Sequence, residues 1–94
     1  MLKQVGLKLD DIGWIELNEA FAAQSLAVIQ DVGLDPKIVN PLGGAIALGH
    51  PLGATGCGLV TKALHELERS NRQKAIITMC CGGGLATGTL IERM

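Results

Sequence analysis

A chain of 94 residues holds one compact unit at most, and folding at this length buries roughly two thirds of the surface that an unfolded chain exposes. Hydrophobic residues make up 48% of the sequence, yet Trp14 and Phe21 are its only aromatics, so the apolar content is small aliphatics suited to thin, closely packed layers and a covered partner surface. Eight basic against nine acidic residues give a net charge of −1, which removes the basic footprint of a nucleic-acid or anionic-membrane binder.

In chain order, the pattern predicts a short opening helix to about Lys8, then a strand through Trp14, Ile15, Glu16 and Leu17 that ends at Asn18. A helix follows from Glu19 to about Val32. Ala20, Phe21, Ala22, Ala23, Leu26, Ala27, Val28 and Ile29 place apolar groups on nearly every face of it, which predicts a buried helix stopped by Gly33, Asp35 and Pro36. Ile38, Val39 and Asn40 read as a short extended piece. A second helix starts near Gly53 to Gly58, with Leu59, Val60, Ala63, Leu64 and Leu67 on one stripe and Lys62, Glu66, Glu68 and Arg69 on the solvent side. Ala75 to Met79 read as a strand covered on both faces. Gly82, Gly83 and Gly84 then turn the chain so that Leu85 to Ile91 return as an antiparallel strand. The order of elements predicts an α/β fold of one domain, residues 1–94, with a mixed, mostly parallel sheet.

The N-terminal stretch carries Lys3, Lys8, Asp10 and Asp11 without a continuous apolar core, so it reads as neither signal peptide nor anchor, and no run approaches a spanning helix. Cys57, Cys80 and Cys81 are odd in number and two are adjacent, which suits a reducing compartment such as the cytoplasm. Their spacing fits no metal set, even with His50 and His65 added.

Ten of the 13 glycines fall between Gly43 and Gly58 or between Gly82 and Gly88, where the backbone has room to approach a ligand. Ligands of α/β sheets gather at the carboxyl ends of strands. Three reactive-looking residues are expected there: Asn18, His50 and Cys80. Asn18 is also a favoured N-cap, with Glu19 complementing the helix dipole. His50, between Gly49 and Pro51, suits a general base or an oxyanion donor, and equally a structural loop histidine. Cys80 and Cys81 follow a buried strand, where thiols are often inert. Beside Gly82, Gly83 and Gly84, however, a thiol becomes a workable nucleophile or acid/base with an adjoining anion hole. His65 is expected to be solvated and Cys57 structural. Gly49 to Gly58 lacks the Lys and Ser/Thr of a P-loop and the dinucleotide fingerprint.

Asn18-Glu19-Ala20-Phe21, the block from Gly43 through His50 to Gly56, and Cys80-Cys81-Gly82-Gly83-Gly84 together resemble, in order and spacing, the three signature blocks of thiolases. The resemblance spans essentially the whole chain. Ketoacyl synthases share the fold but lack the cysteine block. The resemblance implies the C-terminal portion of an αβαβα layered fold. The implied activity is that of an acetyl-CoA acetyltransferase or 3-ketoacyl-CoA thiolase: condensing two acetyl groups to acetoacetyl-CoA, or cleaving a 3-ketoacyl thioester with free coenzyme A. By similarity, His50 would activate a nucleophilic cysteine and help hold the thioester oxygen, and Asn18 would fix a water completing that oxyanion hole. Cys80 would move the proton at the substrate α-carbon or on the thiol of coenzyme A, and the Gly82 N–H would contribute to a second oxyanion hole. Coenzyme A thioesters enter as substrates, with no further cofactor. The position of Cys81 usually holds an aliphatic residue in the family.

A thiolase has two similar halves, with the acylated cysteine in the N-terminal one, and nothing in this sequence resembles that half. The early part of the C-terminal half and the loop covering coenzyme A are missing too. The implied partners are therefore acyl-CoA, coenzyme A and a chain supplying the missing N-terminal half, or further copies in a homo-oligomer. An alternative is a non-catalytic remnant acting as an interaction module.

Overall fold

All four side chains of strand β1 (Trp14–Leu17) are buried, as alternation requires of a strand covered on both faces. The computed structural model describes residues 1–94. One helical turn, α1 (Leu2–Val5), and a 3₁₀ turn over Leu9–Asp11 precede β1. After it come α2 (Ala22–Val32), α3 (Ala45–Leu48), α4 (Thr55–Arg69), β2 (Lys74–Gly82) and β3 (Leu85–Glu92). β1 runs parallel to β2, from Trp14 beside Ala75 to Leu17 beside Thr78, and β2 runs antiparallel to β3. The sheet order is β1-β2-β3.

The two faces of this sheet bury different sets. On one, Trp14, Ala75 and Ile77 pack against Leu59, Ala63 and Leu67, whose spacing of four puts them on a single stripe of α4. On the other, Ile15, Leu17, Val39 and Ile76 meet Val28 and Ile29 of α2 together with Leu34. The result is helix, sheet, helix, the α/β architecture the sequence predicts. No helix is long and apolar enough to cross a membrane.

The short piece at Ile38 to Asn40 contributes one parallel bridge, Ile15 beside Val39, rather than a full strand. The hairpin between β2 and β3 turns on Gly83 and Gly84, at φ 62° and 76°. Positive φ at both central positions matches the right-handed twist of the strands, and only glycine adopts it without strain. Pairing jumps from Cys80 beside Ala86 to Gly82 beside Leu85, leaving Cys81 as the extra residue of a β-bulge.

Several boundaries differ from the sequence reading. α2 begins at Ala22, not Glu19, and only Ser25 within it is buried, while Leu26 is exposed. α3 has no counterpart in the predicted elements. β2 continues through Cys80 to Gly82, because β3 supplies ladder partners beyond Met79. On α4, Cys57 and Leu64 are exposed, whereas Glu66, expected to face solvent, is buried.

Candidate functional site

β1 ends where its two edges meet different partners. The Asn18 N–H donates to Thr78 O at 2.9 Å, so the peptide groups of Leu17 point to the opposite edge. There the Asn40 carboxamide takes the place of a neighbouring strand: Oδ1 accepts from Leu17 N at 2.8 Å and Nδ2 donates to Leu17 O at 2.7 Å. Asn40 also donates to Glu19 Oε1 at 3.2 Å. These tertiary bonds hold Asn18 and Glu19 in a non-helical segment, which is why α2 starts later than its local signals suggest. Asn18 therefore does not cap α2; Phe21 holds that position.

Asn18 is only 2% exposed, yet neither Oδ1 nor Nδ2 has a hydrogen-bond partner in the chain. Leaving such a group unsatisfied costs about 1–3 kcal/mol, and buried carboxamides are normally paired with protein or water. The side chain lines a cavity of about 270 Å³, whose walls include Gly44, Leu48, Pro51, Thr55 and Lys62. A water occupies about 30 Å³ of liquid, so the space admits several waters or a small polar group.

The first turn of α4 forms one wall of this cavity, through Ala54, Thr55 and Gly58, and brings the partial positive charge of a helix N-terminus to it. His50 stands beside the cavity rather than in its wall; Gly49 and Pro51, its neighbours in the loop, are wall residues. Its ring is exposed, with Nδ1 2.7 Å from Thr55 Oγ1. The same hydroxyl lies 3.0 Å from Pro51 O. A threonine hydroxyl has one proton. When that proton goes to Pro51 O, Thr55 accepts from Nδ1–H and the Nε2 lone pair is left free, the tautomer a general base needs.

Cys80 lies on β2 two residues beyond Thr78, the residue that receives the Asn18 N–H, so both occupy the carboxyl end of the sheet. Its thiol is exposed and does not line the cavity beside Asn18. Gly82, at φ 80°, enters the hairpin after the bulge. The structure thus brings Asn18 and the His50 loop together around one hollow, with Cys80 and Gly82 at the same end of the sheet outside its walls. His65 is exposed on α4, as expected.

Sequence reasoning missed three contributors. Glu16 is fully buried, accepts from Trp14 Nε1 at 2.7 Å and faces Lys62 Nζ at 2.7 Å. That approach is an ion pair by distance; the ammonium's directed bond goes to Gly43 O at 2.8 Å. Gly44 lies so close to Glu19 that a Cβ there would overlap the carboxylate and come within 2.9 Å of Asn40 Nδ2. An acidic residue inside a short apolar strand was the available signal for Glu16, but its partner is far away in sequence. At the far end of α4, Arg69 grips Glu66 through Nε and Nη2, with Nη2 2.6 Å from Oε2. That hydrogen bond holds the Glu66 carboxyl below its ordinary 4.5, against the opposing effect of desolvation.

The family model described as thiolase, C-terminal domain, matches residues 1–93. The chain is 53% identical over 91 residues to a 3-ketoacyl-CoA thiolase of Bacillus subtilis, covering 97% of this chain and 23% of that protein. It is 56% identical over 96 residues to a beta-ketoadipyl-CoA thiolase of Acinetobacter baylyi, covering 100% of this chain and 24% of the relative. Its fold superposes on human mitochondrial 3-ketoacyl-CoA thiolase with a TM-score of 0.95 at 44% identity, over 99% of this chain and 24% of that one. The chain therefore spans about a quarter of the length of the relatives it matches. With its αβ layers, its three sequence blocks and this match over nearly every residue, the chain belongs to the thiolase family, as a C-terminal domain.

Proposed function

We propose that this chain carries the proton-handling part of a thiolase-type acyl-transfer site, for condensing acetyl-CoA to acetoacetyl-CoA or cleaving 3-ketoacyl-CoA with coenzyme A. The observation that supports it best is the buried, unpartnered Asn18 carboxamide facing a cavity next to the His50 loop and the N-terminal turn of α4. An oxyanion forming in thioester chemistry needs donors fixed in a dry recess, and losing one such donor costs about 2.7–4 kcal/mol of transition-state stabilisation.

In the cleavage direction, a cysteine thiol from outside this chain gives its proton to His50 Nε2 and its sulfur adds to the keto carbon. The bond between that carbon and the α-carbon then breaks, and the Cys80 S–H delivers its proton to the α-carbon. The resulting Cys80 thiolate takes the proton from coenzyme A, whose sulfur displaces the acyl group, and the nucleophilic cysteine recovers its proton from His50. Asn18 holds a water that donates to the first oxyanion, with His50 beside it, and the Gly82 N–H serves the second. Both substrates are coenzyme A thioesters or the free thiol, and this scheme calls on no resident cofactor. The reducing environment that keeps three exposed thiols free, such as the cytoplasm, fits it.

In this scheme the acyl acceptor comes from outside these 94 residues, from the part of a thiolase that the relatives carry beyond the matched quarter. Phe21 is 74% and Leu52 85% exposed, with Ile46 and the cavity-lining Leu48 also uncovered. Uncovered apolar side chains of this size suit coverage by the rest of a thiolase or by further copies of the chain. They also favour a second reading, a non-catalytic interaction module that uses the same surface. Gel filtration with a dye sensitive to exposed apolar surface checks the surface itself: dye binding or self-association is expected, and a monomer that binds no dye contradicts both readings. Thiolysis of acetoacetyl-CoA separates them. The pure chain is expected to be inactive, and co-production with a chain supplying the missing part is expected to restore cleavage. Cleavage by the pure chain at the rate of an intact relative overturns the proposal, and an assembled but inactive pair favours the module.

A further inference from the structure

The ion pair between buried Glu16 and Lys62, a wall residue of the cavity, is unused by the proton transfers above, and its geometry gives it a separate task. We propose that Lys62, held by Glu16, is a positioning residue that fixes the Gly43 carbonyl and thereby sets the turn carrying Gly49 and His50 against Asn18. The proposal rests on the reading of Asn18 and His50 as site residues.

Glu16 is fully buried on the α4 face of β1, with one oxygen on Trp14 Nε1 and the other facing Lys62. A buried ion pair is a weak source of stability, since well-packed apolar residues of similar volume often serve as well or better. What this pair adds is a fixed direction. The ammonium reaches from α4 to β1 and, through its 2.8 Å bond to Gly43 O, to the glycine loop. Gly43 is also held from its other side, its N–H donating to Asn40 O at 2.9 Å. Rigidity passes from there along α3 through Leu48 N to Gly44 O at 3.0 Å and Gly49 N to Ala45 O at 2.8 Å. The next residue is His50, an exposed ring with a single side-chain hydrogen bond, so its placement depends on the turn that delivers it. The ammonium, engaged by both Glu16 and Gly43, acts through the backbone rather than as a free cation in the cavity.

The test is carried out on the 94-residue chain by NMR, with His65→Gln to isolate the His50 signals. Lys62→Met is expected to speed amide exchange at Leu48 and Gly49 by about tenfold or more through local opening, while β2–β3 amides lose protection only in step with the drop in global stability. It is also expected to move the His50 ring nitrogens toward an ordinary tautomer mixture as the Thr55 contact loosens. Lys62→Arg, which keeps the charge, is expected to restore much of both. Should Lys62→Met fail to fold, Glu16→Gln, which retains an acceptor for Trp14 and loses the charge, is read in the same way. Unchanged loop exchange and unchanged His50 shifts in a folded variant overturn the proposal, as does faster loop exchange that merely tracks the drop in global stability measured by denaturant unfolding. These readouts need no activity. A strut seen by NMR together with full activity of Asn18→Ala in the co-produced pair would therefore sink the functional reading and leave the positioning role standing.

Discussion

Replacing Asn40 with aspartate exchanges one nitrogen for one oxygen and removes the donor of two hydrogen bonds at the end of β1. The bond from Leu17 N at 2.8 Å survives, because Oδ1 still accepts. The atom that replaces Nδ2 faces Leu17 O at 2.7 Å and Glu19 Oε1 at 3.2 Å, two acceptors with no proton between. Losing one hydrogen bond costs about 1 kcal/mol and leaving a part-buried carbonyl unpaired about 1–3 kcal/mol, so Asn40→Asp is expected to destabilise by about 2–4 kcal/mol at pH 7. At roughly 4–8 °C per kcal/mol for a domain of this size, the melting temperature falls by about 8–30 °C. The introduced carboxyl sits against two oxygens, so its folded pKa is raised above the unfolded value. The folded state then binds more protons, and the deficit shrinks as the pH falls through the raised pKa. Thermal melts at pH 7 and pH 4.5, each referred to the parent chain at the same pH, measure both effects. A loss below about 0.5 kcal/mol, typical of a surface substitution, or a deficit that grows on acidification, refutes the view that this carboxamide stands in for a strand.

Gly44→Ala forces the Glu19 carboxylate away from Asn40 and is expected to cost about 1–3 kcal/mol as an overpacked contact, measured by urea unfolding; a neutral result would show that Glu19 swings out freely. Lys62→Met leaves the Glu16 carboxylate buried without its cation, a change that costs about 3–5 kcal/mol. The double variant with Glu16→Gln should recover part of that loss, whereas strict additivity in a double-mutant cycle would contradict the pairing. Because Arg69 lowers the Glu66 pKa on folding, this carboxylate's contribution is complete above its ordinary 4.5 and is lost as pH falls through the lowered value. The Arg69 side chain is largely exposed, so the effect is small and fades with salt. An Arg69→Gln variant that matches the parent at neutral pH and below pH 4 alike would remove it.

Local pattern carried the reading wherever the deciding contacts were local. The stripe at Leu59, Ala63 and Leu67, the four buried residues of β1 and the glycine hairpin each follow from periodicity or from φ, and they stand where the sequence puts them. Asn18 failed as a cap for a tertiary reason. Asn40 and Thr78 hold the segment after β1 out of helical geometry, and neither contact has a local signature. α2 looked buried on all sides because its composition is apolar, yet only Ser25 is covered in this chain. Glu16 passed unremarked, since the worth of a carboxylate in a strand depends on an ammonium that only the packing of α4 delivers. Of the site itself, the grouping of Asn18 with the His50 loop was legible from strand ends and glycines. The orphaned carboxamide, the Thr55 contact to His50 and the position of Cys80 outside the cavity wall were not.

If Cys80 and His50 handle protons in acyl transfer, removing either one stops cleavage in the co-produced pair. Initial rates of acetoacetyl-CoA cleavage are compared for the parent, His50→Ala, Cys80→Ala and, as a neighbouring thiol outside the scheme, Cys81→Ala. Cleavage is expected to vanish in the first two variants and to persist in the third. A Cys80→Ala pair that cleaves as fast as the parent contradicts that role.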